Sequence, residues 1–288
     1  MTTSSNLILS YRNDADSGVY YVDPLYSVAG YSIDFAKTRE MSEFVRILPD
    51  NSGYGYCTFE VSFDRELPVN IIGLLKTNSQ QNTKVEVTLY SMAGASLYSD
   101  TFFHMFSAST YGTDSWGDFM WGGQTPISHF KGHNKQMILP LPDVYMAKKV
   151  RIRVFSSEPI DYFEFARFWA GFGYQPTYNV NYGSSIGYKD DTDKKSSKSG
   201  ARAYGSVIRK RTIELDFESL EQDEFFTELF GPVVQENGIS TEMLIALDAT
   251  NMATIPYQSL YGNLVNADDA SHAFWNHLSV NLTLEEAP

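Results

Sequence analysis

Apolar and polar side chains alternate with a period of two through most of the first 170 residues, and this constrains the fold more than any other feature of the chain. Phe59, Val61 and Phe63 alternate with Glu60, Ser62 and Asp64. Val85, Val87 and Leu89 alternate with Glu86, Thr88 and Tyr90, and Val150, Ile152 and Val154 with Arg151, Arg153 and Phe155. Phe163, Phe165 and Arg167 begin another such run. Successive side chains point to opposite faces of a strand, so each run predicts a strand with one buried face. Residues 69–75 are nearly all apolar, as in a central strand covered on both faces. Turn signals separate the runs at Asn51-Ser-Gly, Asn78-Ser and Met92-Ala-Gly. Short strands at this spacing predict a mainly β fold, an antiparallel β-sandwich.

Residues 104–133 break the rhythm, with Tyr111, Trp116, Phe119 and Trp121 set among Gly, Ser, Asp114 and Asp118. A stretch of this length without a periodic element reads as an insertion between two sandwich strands. Residues 182–205 turn rich in Gly, Ser, Lys and Asp and read as a basic, flexible connector. Beyond it Ile213-Glu-Leu-Asp-Phe predicts a strand. A capping box at Ser219-Leu-Glu-Gln predicts a helix with Phe225, Phe226, Leu229 and Phe230 as its buried stripe, stopped by Gly231-Pro232. Residues 243–247, and the alternation of Leu278, Val280, Leu282 and Leu284, predict two more strands. The expected organisation is a sandwich over 1–181, a connector over 182–205 and a smaller β-rich module with one helix over 206–288. That module has too few strands to close on itself, so its edges call for partners.

Charge follows the same division. Residues 189–211 carry eight Lys or Arg against three Asp, giving +5, while residues 212–288 carry fourteen Asp or Glu and no Lys or Arg. The total of -13 argues against a nucleic-acid binder, which needs a basic face. The first residues lack the basic and apolar regions of a signal peptide, and no apolar run approaches the ~20 residues of a membrane helix, so neither export nor membrane insertion is expected. The lone Cys57 lies in an alternating run and reads as buried rather than nucleophilic.

The order of the pieces resembles structural proteins of phage tails. Val69-Asn-Ile-Ile-Gly-Leu-Leu-Lys-Thr-Asn is similar to the core strand of galactose-binding-like jelly rolls in that group. Lys149-Val-Arg-Ile-Arg-Val and Phe165-Ala-Arg-Phe-Trp-Ala-Gly are similar to its later strands. Tyr174-Gln-Pro-Thr-Tyr-Asn-Val-Asn-Tyr-Gly resembles a passage of tail-tip proteins. Leu244-Ile-Ala-Leu-Asp, Leu260-Tyr-Gly-Asn-Leu and Leu278-Ser-Val-Asn-Leu-Thr-Leu-Glu-Glu resemble tail-module endings. The resemblance implies a jelly-roll β-sandwich in a tail-tip or baseplate protein, a virion component made in the host cytoplasm. It would assemble with other tail proteins and copies of itself and dock fibres, with no catalytic residues, cofactor or metal.

The search for chemistry agrees. His129 and His133 stand four apart, but Phe130-Lys-Gly between them breaks a helix, and His104, Asp114 and Asp118 complete no ligand pattern. His272 and His277 are weaker still, and Asp190-Asp-Thr-Asp lacks the glycine and distal Glu of a calcium loop. No nucleophile elbow, phosphate loop or dinucleotide fingerprint is present. The aromatic insertion offers two readings. Tyr111, Trp116, Phe119 and Trp121 anchor a subunit contact, or they stack on a host surface glycan while Asp114 and Asp118 accept its hydroxyl hydrogens. Tyr20, Tyr21, Tyr26 and Tyr31 read as a subunit contact or as strand packing. Lys194, Lys195, Lys198 and Arg202 in the connector are candidates for docking onto the acidic module of a neighbouring copy in a ring.

Overall fold

The computed structural model describes residues 7–50, 55–79, 83–103, 136–155, 160–180, 184–192, 194–196, 202–205, 209–250 and 255–287. The insertion at 104–133 lies outside the described residues. The chain forms two compact units: one of Arg12–Gly173 with Ala249–Tyr257, the other of Met1–Tyr11, Tyr174–Asp248 and Gln258–Pro288. Both are built from antiparallel sheets.

Strand β1 (Ile8–Ser10) belongs to the second unit. The first is the expected jelly-roll β-sandwich, made by β2 (Val19–Tyr21), β3 (Val45–Ile47), β4 (Tyr56–Leu75), β5 (Lys84–Tyr90), β6 (Ser96–Phe103), β7 (Met137–Phe155), β8 (Phe163–Phe165) and β9 (Arg167–Gly171). Strands β4 and β7 are long and bulged, and each serves two sheet regions in turn. The early half of β4 pairs with β2 and the late half of β7, which continues through β5 to β6; the late half of β4 pairs with β9 and the early half of β7. Alternation does what the sequence requires: Cys57, Phe59, Val61 and Phe63 face the core, and Thr58, Glu60 and Ser62 stay partly exposed. From Val69 onward every residue of β4 is buried, as expected of a strand covered on both faces. Each fully buried large apolar side chain contributes roughly 1.5–3 kcal/mol.

Segments before β3 seal the second face. Asn13 donates through Nδ2 to the Phe168 carbonyl (2.8 Å) and accepts from the Ala170 N–H (3.0 Å). The buried Arg167 guanidinium reaches the carbonyls of Lys37 (2.8 Å) and Thr38 (2.9 Å) and the carboxylate of Asp16 (2.8 Å). The outward, polar face of β4, β7 and β5 carries a ladder of charges in which Lys149 and Arg151 pair with Glu60, and Arg153 with Glu86.

The second unit is a larger sheet than the sequence implies. Its strands are β10 (Ser185–Asp190), β13 (Arg209–Glu221), β14 (Glu242–Ala246), β15 (Ser259–Ala267), β16 (Ser271–Phe274) and β17 (His277–Glu286), with β11 (Lys194–Ser196) and β12 (Arg202–Tyr204) forming a separate hairpin. The order is β1-β14-β15-β17-β13-β10, with β16 on β17. Two boundaries therefore move. Residues 7–10, placed in the sandwich by sequence order, pair as β1 with β14 in the second unit. Part of the expected connector is β10, paired with β13. Tyr174 also bonds in both directions to Leu9 (2.8 and 2.9 Å), so the second unit takes up the chain there and not at residue 182.

The helix differs as well. Ser219 is not its cap: β13 runs on to Glu221, and helical turns begin at Gln222. Residues Phe225–Asn237 then wind as wide π turns, with Phe225, Leu229 and Val233 buried while Phe226 and Phe230 stay exposed. Pro232 lies inside this helix rather than ending it. An irregular, widened helix carries a residue that has no N–H to give.

Candidate functional site

Strands β3 and β8 pair with Arg46 opposite Glu164. Val45, Ile47, Phe163 and Phe165 are buried. Period two then puts Arg46 and Glu164 together on the other face, and Arg46 Nε donates to Glu164 Oε2 at 2.6 Å. That bond pushes the Arg46 pKa up, so the guanidinium stays cationic. Two rings hold it in place: the guanidinium carbon is 3.9 Å from the Tyr31 ring centroid and 4.4 Å from that of Tyr162. Tyr31 follows Gly30, whose φ of 85° only glycine adopts without strain. Asn78 fixes the other side, donating to the Tyr162 carbonyl (3.0 Å) and accepting from the Glu164 N–H (2.8 Å).

Tyr31 and Arg46 line a cleft of about 330 Å³ whose walls include Val22, Val28, Ile33 and Phe35, with Ser27 and Ser32 at the polar side. Arg46 commits Nε to Glu164, and neither of its Nη groups has a hydrogen-bond partner among the described residues. The cleft thus combines apolar walls, an aromatic ring and a fixed cation with free donors, the composition of a small-molecule binding site. The sequence marks Tyr31 but not its partners. The signal for Arg46 is its place between Val45 and Ile47, which turns a charge outward on a short strand. Nothing local connects it to Tyr162 and Glu164, more than a hundred positions later.

The other sequence candidates fall as follows. Tyr111, Asp114, Trp116, Asp118, Phe119 and Trp121, with His104, His129 and His133, lie outside the described residues. Tyr20 is buried edge-on to Phe168 (6.1 Å), so its role is packing, while Tyr21 is exposed on β2. Among the described residues no group of three His, Cys, Asp or Glu could hold a metal. His277 Nδ1 lies 3.2 Å from Ser219 Oγ. Asp190 accepts the Thr192 N–H (3.0 Å) as a local turn. Cys57 is buried with its thiol pushed up to about 12 by burial, which leaves it unreactive.

Lys194 and Lys195 belong to β11 and Arg202 to β12, but their side chains and all of Lys198 lie outside the described residues. The basic residues that flank them are paired within the chain. Lys189 (2.9 Å) and Lys210 (2.6 Å) bond Glu285 and hold its carboxyl below the usual range, and Arg211 bonds Glu286.

No family model and no curated protein matches the sequence. Among solved structures the chain is similar to chitosan-binding module 1 of a chitosanase/glucanase from Paenibacillus sp. IK-5, at 11% identity and a TM-score of 0.38, covering 56% of this chain and 99% of that one. It is similar to the lectin domain of lectinolysin complexed with Lewis B antigen, at 10% identity and a TM-score of 0.36, covering 56% and 96%. It is also similar to the family 32 carbohydrate-binding module of Clostridium perfringens NanJ in complex with galactose, at 10% identity and a TM-score of 0.38, covering 57% and 98%.

Proposed function

We propose that this chain is a non-catalytic glycan-binding protein whose sandwich unit holds a sugar in the Tyr31–Arg46 cleft. One observation carries the reading: a guanidinium locked between Tyr31 and Tyr162 and tied to Glu164 keeps free donors at the edge of an apolar cleft. A sugar ring offers apolar C–H faces to such walls and paired hydroxyls to a forked cation. The aromatic insertion, with Trp116 and Trp121, is the second candidate for the same class of ligand. The phage-tail assignment rests on the sequence resemblance alone. A virion location, tail-protein partners and self-assembly stay with that resemblance as part of the proposal, with glycan binding as the attachment step.

A glycan array probed with the full chain tests this. Arg46→Ala and Tyr31→Ala, each folded by circular dichroism, are expected to lower the glycan signal well below that of the wild-type protein. Undiminished binding in both variants, or no glycan signal from the wild type, overturns the cleft as a site. Loss in Trp116→Ala and Trp121→Ala alone assigns binding to the insertion instead.

A further inference from the structure

We infer that the second unit carries its own sugar-stacking site at the tip of the β16–β17 hairpin, independent of the sandwich cleft. Trp275 sits in the two-residue turn between Phe274 and His277 and is 96% exposed. An indole at this exposure offers a flat apolar face and an N–H to a partner, the pairing that enriches Trp at binding surfaces. The turn holds it there. Asn276 adopts φ 62°, a conformation that Asn tolerates better than most residues, and its carbonyl accepts the Gln222 N–H (3.0 Å). The hairpin tip is thereby tied to the start of the helix, so the ring is presented on a braced turn.

Gln222, His272, Trp275 and Asn276 line a concavity of about 440 Å³. None of the side chains of Gln222, His272 and Asn276 has a hydrogen-bond partner among the described residues. Two amides and an imidazole, each able to donate and accept, surround a bare indole face. This suits a ligand with one apolar face and a rim of hydroxyls, which is the chemistry of a pyranose. A membrane surface fits less well. Residues 212–288 contain no Lys or Arg, and Asp268 and Asp269 lie in the turn just before β16, so anionic headgroups are repelled. The chain is then bivalent for sugar, and two weak sites on one chain raise binding to a dense glycan surface well beyond either alone.

The test is titration of the full chain with methyl β-D-galactopyranoside and methyl β-D-glucopyranoside, followed by ligand-observed NMR and by indole fluorescence. Trp275→Ala is expected to weaken binding at this site roughly tenfold or more and Trp275→Phe to retain part of it. Arg46→Ala, which addresses the sandwich cleft, leaves the Trp275 component in place. The inference is overturned if Trp275→Ala titrates identically to wild type for both sugars. It is also overturned if the substitution abolishes binding to phosphatidylcholine vesicles, or dissociates an oligomer on light scattering, while sugar binding is unchanged. Failure of Arg46→Ala to alter glycan binding, with Trp275→Ala still effective, removes the cleft proposal and leaves this one standing.

Discussion

Glu286→Ala probes how the second unit is held together. Arg211 is only 4% exposed in β13. Its Nε (3.0 Å) and Nη2 (2.6 Å) both donate to Glu286 Oε1, its own N–H donates to Glu286 Oε2 (3.1 Å), and Nη1 donates to the Ser259 carbonyl (3.0 Å). One carboxylate therefore takes two bonds from a buried guanidinium and one from its backbone N–H, and bridges β13 to the end of β17. Truncating it takes the counter-charge from a guanidinium held out of water, which costs about 3–5 kcal/mol, because the buried charge keeps its desolvation penalty and loses the ion pair that offset it. Replacing both residues by leucine removes the charge along with the penalty and is expected to recover most of the loss. Hydrogen exchange followed by mass spectrometry reads this locally. Protection of β13, β15 and β17 should fall at least about 100-fold in Glu286→Ala, since about 1.4 kcal/mol is a factor of ten, with β4 and β7 as the internal reference. A fall below tenfold in the single variant, or a double variant no better protected than the single, refutes the reasoning.

Two further outcomes follow from the sandwich. Burial alone would raise the Glu60 pKa, but the bonds from Arg151 and Lys149 hold it below its ordinary 4.5. Its stabilising contribution is present above 4.5 and lost as pH falls through the lower folded value, so the urea midpoints of wild type and Glu60→Gln should converge on acidification and separate near neutral pH. A constant gap across pH 2–7 contradicts this, that window being about the carboxylate titration range. Cys57, with its thiol raised to about 12, should resist Ellman's reagent at about pH 8 in the folded protein and react fully in denaturant; rapid labelling of the native chain contradicts the burial argument.

The parts of the fold that are legible in the sequence are those written in local patterns. The alternation around Phe59 on β4 and around Ile152 on β7 needs only the two-residue period of a strand, and residues 69–75 declare a doubly covered strand by being almost uniformly apolar. What is not legible depends on pairings distant in sequence. Ile8 faces Ala246, and no property of a three-residue strand announces so remote a partner. Pro232 misleads because proline ends ordinary helices, while here the helix is wide enough to hold it. The site shows the same division. Tyr31 stands out as one of several early tyrosines, but Arg46, Glu164 and Tyr162 become a group only through the β3–β8 register. Trp275 escapes a reading of the sequence because a lone indole in a turn carries no pattern; its exposure gives it meaning.

The pairing of Leu9 with Tyr174 has a consequence for the order in which the protein is made. A ribosome delivers residues 8–10 long before their sheet partner β14, with residues 12–173 of the sandwich unit made in between. The early strand must wait unpaired while residues 12–173 fold, and sheet completion is deferred until β17 leaves the tunnel. Leu9 and Tyr174 lie side by side in one sheet, so the two ends of the stretch between them are close in space. Neighbouring strand positions of this kind are where a frame tolerates a long insertion, because the inserted chain begins and ends at nearly the same point.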